Sequence, residues 1–219
     1  MGKTQIEKVV QIPADAVRLG GSLVLPENVT SLVAFAHGSG SSRFSPRNTF
    51  VARQFNQAGI GTLLMDLLTE EEDARYATRF DIDLLTHRLL QVTAWLQAQV
   101  DTKNLTLGYF GASTGAAAAL KAAATPGFPI GAVVSRGGRP DLAQQALLHV
   151  HAPTLLIVGG NDQTVLELNR AAFAQLPGEK ELTIVPGATH LFEEPGTLEE
   201  VALLATQFFK KHLYQAPVC

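Results

Sequence analysis

Residues Gly111-Ala112-Ser113-Thr114-Gly115 match G-x-S-x-G, a spacing that can lift a serine hydroxyl clear of a sharp strand-to-helix turn. An apolar run (105–110, LTLGYF) precedes the motif and an alanine-rich run (AAAALKAAA) follows it, so strand and helix are both in place. Bulk at either flanking position would collide with those elements, which explains the two glycines. A helix beginning at residue 113 also directs its positive end to where an oxyanion would form. The plainer role for Ser113 is helix capping.

A serine hydroxyl reacts only when a base removes its proton. Six histidines are available, and in this motif's setting the order is Ser…Asp/Glu…His. His37 precedes the serine, His87 and His212 fall inside expected helices, and His149 and His151 come before a strand. His190 follows a strand, in Pro186-Gly187-Ala188-Thr189-His190, and the carboxyl ends of strands are where open α/β sheets do chemistry. For an acid to orient it, Asp162 in Gly159-Gly160-Asn161-Asp162 also follows a strand. Asp141, one strand earlier, competes for that role, and helix capping is the plainer role for Asp162. A loop His37-Gly38-Ser39-Gly40-Ser41-Ser42-Arg43 could offer the Ser39 N–H beside that of Thr114 as oxyanion donors, with His37 anchoring the loop. Arg43 and Arg136, each after a strand, could bind an anionic substrate group; the alternative is internal pairing, such as Arg139 with Asp141 or Arg136 with the acids of 70–73. Phe44, Leu67 and Phe192 are candidate pocket walls.

The elements that must hold these residues can be read from hydrophobic pattern. Residues 6–12 and 17–25, joined by Pro13-Ala14-Asp15, read as an antiparallel hairpin. Short continuous apolar runs follow at 31–36, 60–65, 105–110, 130–134, 154–158 and 182–185, as expected of parallel strands buried on both faces. Helical stretches lie between them at 46–58, 80–99, 113–124, 142–148, 165–175 and 198–212. This alternation predicts an α/β fold with about eight strands, mostly parallel, and helices on both faces. Residues 69–79 (TEEEDARYATR) read as a solvated acidic loop or a very small cap. No repeat or linker divides the chain, so 1–219 is expected to be one domain.

The H-G-S-G loop, the G-A-S-T-G turn, G-G-N-D and G-A-T-H together resemble the α/β-hydrolase superfamily. The short chain, with no long insertion after 130–134, is most similar to the dienelactone hydrolase family, over nearly its whole length. That resemblance implies the α/β-hydrolase fold without a large cap, hydrolysis of a small carboxylic ester or lactone, no metal or organic cofactor, and a triad of Ser113, Asp162 and His190. Two departures concern the substrate and leave the hydrolase expectation standing. Dienelactone hydrolases proper use a cysteine nucleophile, whereas position 113 is serine and the one cysteine is Cys219. They also hold a glutamate in the loop after the third strand, where this chain reads HGSGSSR.

Composition excludes several other classes. The 219 residues are 46% hydrophobic and 17% charged with net charge −3, unlike a disordered chain. A pI near 6.1 argues against a nucleic-acid partner. No apolar run approaches the roughly 18 residues of a membrane span, and the charged, alternating MGKTQIEKVVQI does not read as a signal peptide, so a cytoplasmic location is expected. One cysteine forms no internal disulfide and no cysteine-based zinc site. Gly38-x-Gly40 hints at a dinucleotide fold, but the third glycine position is Arg43; no Walker loop occurs. An acyltransferase or thioesterase would use the same triad, and a non-catalytic binding module could share the scaffold. A small-molecule ester is the expected partner, and nothing in the sequence speaks to oligomeric state.

Overall fold

The computed structural model describes residues 5–214; Cys219 lies outside them. Eight strands form one sheet: β1 Gln5–Ala14, β2 Val17–Pro26, β3 Ser31–Ala36, β4 Gly61–Met65, β5 Thr106–Ala112, β6 Ala132–Arg136, β7 Thr154–Gly159 and β8 Lys180–Val185. Their order is β1-β2-β4-β3-β5-β6-β7-β8. β1 and β2 pair antiparallel as the expected hairpin, β2 joins β4 antiparallel, and β3 through β8 run parallel. Parallel neighbours need crossovers, and helices α1 Pro46–Gln57, α3 Ile82–Ala98, α4 Thr114–Ala123, α5 Gln163–Gln175 and α6 Thr197–Leu213 supply them or close the last face. The central strands read as unbroken apolar runs because both faces are covered: β3, β4, β5, β6 and β7 are buried almost throughout.

Two cores result. One packs α3 and α4 onto the sheet around Leu63, Leu89, Tyr109 and Leu120. The other packs α1 and α6 around Phe35, Phe55, Phe110 and Phe209, four rings whose centroids stand 4.9–5.8 Å apart in tilted and edge-on contacts.

Two segments differ from expectation. Within 69–79, read first as a loop, lies a one-turn helix, α2 Glu70–Asp73, followed by a 3-10 turn at Tyr76–Phe80. A capping box starts it: Thr69 Oγ1 accepts from Glu72 N–H and the Glu72 carboxylate accepts from Thr69 N–H. The stretch expected to be helical at 142–148 is a 3-10 segment, Pro140–His149, broken by Gln144 at φ 51°.

Candidate active site

Ser113 stands between β5 and α4 with φ 50° and ψ −120°, a backbone conformation that costs an L-residue energy and throws its side chain out of the turn. The flanking glycines are a packing requirement. A Cβ at Gly111 would come within 2.8 Å of Ala116 N, and one at Gly115 would overlap the carbonyl oxygens of Ala36 and His37. Although Ser113 occupies the N-cap position of α4, its hydroxyl caps no helix N–H. The main chain after β6 brackets the turn: Ser113 N–H donates to Arg136 O (3.4 Å) and Arg139 N–H donates to Ser113 O (3.0 Å).

Asp162 also sits at an N-cap position, that of α5, and likewise leaves the helix uncapped. Its carboxylate instead takes the His190 Nδ1–H at 2.7 Å. Asp162 is shielded, 16% exposed, while the His190 side chain is 39% exposed, so the ring has one nitrogen held inside and an edge facing outward. The acid competing for this role, Asp141, is engaged elsewhere: Arg139 grips both its oxygens at 2.8 Å. That pair also raises the Arg139 pKa, chiefly through the hydrogen bond to Asp141.

The residue after β6 sets how close His190 can come. A Cβ at Gly137, whose φ is +50°, would lie 3.1 Å from His190 O and 3.6 Å from its Nδ1. Thus the β6 loop touches the serine turn on one side and the histidine on the other. The histidine loop is pinned by Glu194, which accepts from Thr189 N–H (3.1 Å) and Thr189 Oγ1–H (2.6 Å). The Thr189 hydroxyl is the largest influence holding Glu194 below its ordinary pKa. Sequence reasoning missed Glu194; an acid five residues beyond Thr189 in the same short loop was the available signal. Asn169 was missed as well: fully buried on α5, it donates to Gly138 O at 2.9 Å and steadies the β6 loop.

On the other side of Ser113, the loop after β3 is held by His37. Its Nε2 accepts from Leu67 N–H at 3.1 Å and its Nδ1 lies 2.9 Å from Gly38 O, which fixes the Nδ1–H tautomer. Burial is the main cause lowering the His37 pKa. Ser39 N–H, expected to be a free oxyanion donor, instead donates to Thr114 Oγ1 at 3.0 Å. An N–H needs a partner, and a threonine after the serine brings one within reach. The Thr114 N–H has no protein partner among the described residues.

The structure places the residues expected to contact substrate in varied surroundings. Arg43 is paired with Asp66, which takes both its guanidinium and its N–H, the latter at 2.8 Å; its charge is already met. Phe192 and Leu67 are 1% and 0% exposed and belong to the core, not to a pocket wall. Phe192 does so at φ 55°, the strained corner that turns its ring inward after His190. Phe44 is exposed, with the Arg43 guanidinium 4.2 Å above its ring. A cavity of about 460 Å³ opens there, bounded by His37, Ser41, Arg43, Phe44, Asp66 and Glu70. Arg136 pairs with none of the acids at 70–73; it is 7% exposed and its Nε and Nη1 have no hydrogen-bond partner.

Among the described residues, one grouping has metal-ligand spacing: Glu179, Glu181 and His212. It lies at β8 and the end of α6, where Lys211 Nζ already stands 2.7 Å from Glu179. No described helix is long and apolar enough to cross a membrane.

No protein-family model matches the chain. Two Mycobacterium tuberculosis proteins, each named "Putative phosphoribosyl transferase", are 60% identical over 207 residues. The match takes in 94% of this chain and 47% of theirs, so the chain spans about half the length of these relatives. Among solved structures, Est1E from Butyrivibrio proteoclasticus superposes with a TM-score of 0.79 at 18% identity, covering 93% of this chain and 98% of that one, a likeness of fold. The dienelactone hydrolase from Anabaena variabilis superposes with a TM-score of 0.93 at 54% identity, over 96% of this chain and 99% of that one. With its strand order, its strained serine turn and this degree of identity across nearly the full length, the chain belongs to the dienelactone hydrolase family of α/β-hydrolases.

Proposed function

We propose that residues 1–219 form one serine-hydrolase domain that cleaves a small carboxylic ester or lactone through an acyl-enzyme. The observation that carries this reading is the 2.7 Å bond from His190 Nδ1 to Asp162, formed where helix capping would otherwise have used the carboxylate. With Nδ1–H held by Asp162, His190 Nε2 is left unprotonated and can accept the Ser113 hydroxyl proton as Oγ attacks the carbonyl carbon. Asp162 stabilises the imidazolium that forms. Nε2–H then protonates the leaving alkoxide, which departs as the alcohol. Water, deprotonated by His190, next attacks the acyl carbon and frees the acid and Ser113.

The developing oxyanion is held by the Thr114 N–H at the positive end of α4, and by the Ser39 N–H once Thr114 Oγ1 gives way to it. The substrate's outer group would extend into the cavity beside His37, Ser41 and Phe44. Arg43 is not assigned to it, because Asp66 already neutralises that guanidinium.

The transferase name belongs to relatives twice as long as this chain. A serine with a histidine base is suited to acyl transfer. The same triad would serve a thioesterase or acyltransferase, so the test must separate acceptors. Hydrolysis of p-nitrophenyl acetate by the wild type, lost in Ser113→Ala and not accelerated by added alcohols or amines, is the expected result. Equal turnover by both proteins would overturn the reading.

A further inference from the structure

Arg136 presents a problem that the proposed reaction does not solve. Its main chain ends β6 opposite Ala112, and by strand alternation its side chain shares the face of Ala132 and Val134, which pack toward α1 and α6. There it is 7% exposed, and its Nε and Nη1 are buried with no hydrogen-bond partner. No acid among the described residues forms an ion pair with it. The charge that acts on it is a second cation, Arg47, in the first turn of α1. Burial first, and Arg47 second, bring the Arg136 pKa down to about 10.

A buried guanidinium keeps its charge at neutral pH, and leaving it unpaired is strongly unfavourable. Its aromatic neighbour, the Phe192 ring 5.9 Å away, offers a weak cation–π contact and no acceptor. Arg47 is itself only partly satisfied: Nη1 reaches Glu193 at 2.9 Å, while its Nε is buried and unpartnered. The one carboxylate in this corner, that of exposed Glu193, is paired with Arg47 and leaves Arg136 without a counter-ion. The N-terminal end of α1 adds its own partial positive charge to the same corner.

We propose that Arg136 and Arg47, at the start of α1 and behind the His190 loop, form a binding site for a small oxyanion, a carboxylate or a phosphate. The planar fork of each guanidinium suits either geometry. The ligand would be approached from the Arg47 side, whose side chain is 31% exposed. The site does not depend on Ser113 chemistry, so it can be tested whether or not the chain hydrolyses esters. Its ligand could be a free anion or the acid arm of an ester substrate.

Thermal melts of the full chain in sodium phosphate and in sodium acetate, each against sodium chloride at equal ionic strength, test it directly. Binding only to the native state should raise Tm by about 3–6 °C at roughly ten times Kd. Arg136→Met, which keeps the volume and removes the buried charge, should abolish that rise while leaving Tm in chloride equal to or above that of wild type. Where Arg136→Met fails to fold, Arg47→Met serves: its half-saturating phosphate concentration should be at least about tenfold higher than in wild type. A second arm identifies the source. If phosphate raises KM for mono-p-nitrophenyl succinate and not for p-nitrophenyl acetate, the site takes the substrate's acid arm; if it affects both alike or neither, the ligand is a free anion. A wild-type Tm no higher in phosphate or acetate than in chloride would overturn the proposal, as would a rise that persists in Arg136→Met.

Discussion

The carboxyl rim of the sheet has two halves that are held by different forces. Around β5 to β8, the loops bearing Ser113, Asp162 and His190 are fixed by main-chain bonds and by close approach at Gly111, Gly115 and Gly137. Around β3 and β4, the loops are fixed largely by charged side chains: Arg43 to Asp66, Arg79 to Asp73 at 3.1 Å, Arg88 to Glu72 at 3.0 Å, and neutral His37 between Leu67 and Gly38. The first half has charged supports too, the Glu194 carboxylate under the histidine loop and the Arg139–Asp141 pair, but the serine turn itself is held by main chain alone. In the second, the pairs can be removed one at a time by substitution.

Ser113→Ala should separate the halves most sharply. It should lower kcat for p-nitrophenyl acetate by on the order of 10⁶-fold, with Tm nearly unchanged. Next, Asp162→Asn should cost about 10⁴-fold in kcat by losing control of the His190 tautomer, while Asp141→Asn leaves kcat within a few-fold; steady-state kinetics on the two variants would reverse this order if Asp141 were the orienting acid. In the other half, Asp66→Asn removes the partner of Arg43. It should reduce stability by about 1–3 kcal/mol in urea titration and raise KM more than it lowers kcat. A larger loss in kcat than rise in KM would break the division between the halves.

The smallest effect is acid sensitivity at His37. Its folded pKa lies below the ordinary value of about 6.5, so between the two the unfolded chain binds a proton that the native protein does not. Stability from this group is therefore complete above that ordinary value and falls as pH drops below it, by at most about 1.4 kcal/mol per pH unit. Melts from pH 7 to 5 should show a shallower decline in His37→Gln than in wild type. An identical slope would contradict a neutral, buried His37.

How much of this was legible in the sequence follows the same division. The β5–α4 turn could be read because its chemistry is local: strand, glycines, serine and helix occupy consecutive positions, and the positions of Asp162 and His190 after strands follow from sheet topology. The other half could not. The partner of Arg43 lies 23 residues away, across two elements, and no local pattern names Asp66. Leu67 and Phe192 follow strands as pocket residues do, yet both are buried in the core, Phe192 at a positive-φ corner. The one-turn helix at Glu70–Asp73 did carry a sign, since Thr69-Glu70-Glu71-Glu72 spells a capping box, but four acids in five residues read first as a solvated loop. The Ser39 to Thr114 bond depends on ångström-scale loop placement that residue types do not encode.

The central claim is that Ser113 is an activated nucleophile. It is tested most directly by treating the wild type and Ser113→Ala with a fluorophosphonate, then measuring intact mass and mapping the modified peptide. The account predicts one adduct per wild-type chain, on Ser113, and none on the variant. A wild-type chain that stays unmodified, or an adduct that survives in Ser113→Ala, would contradict it.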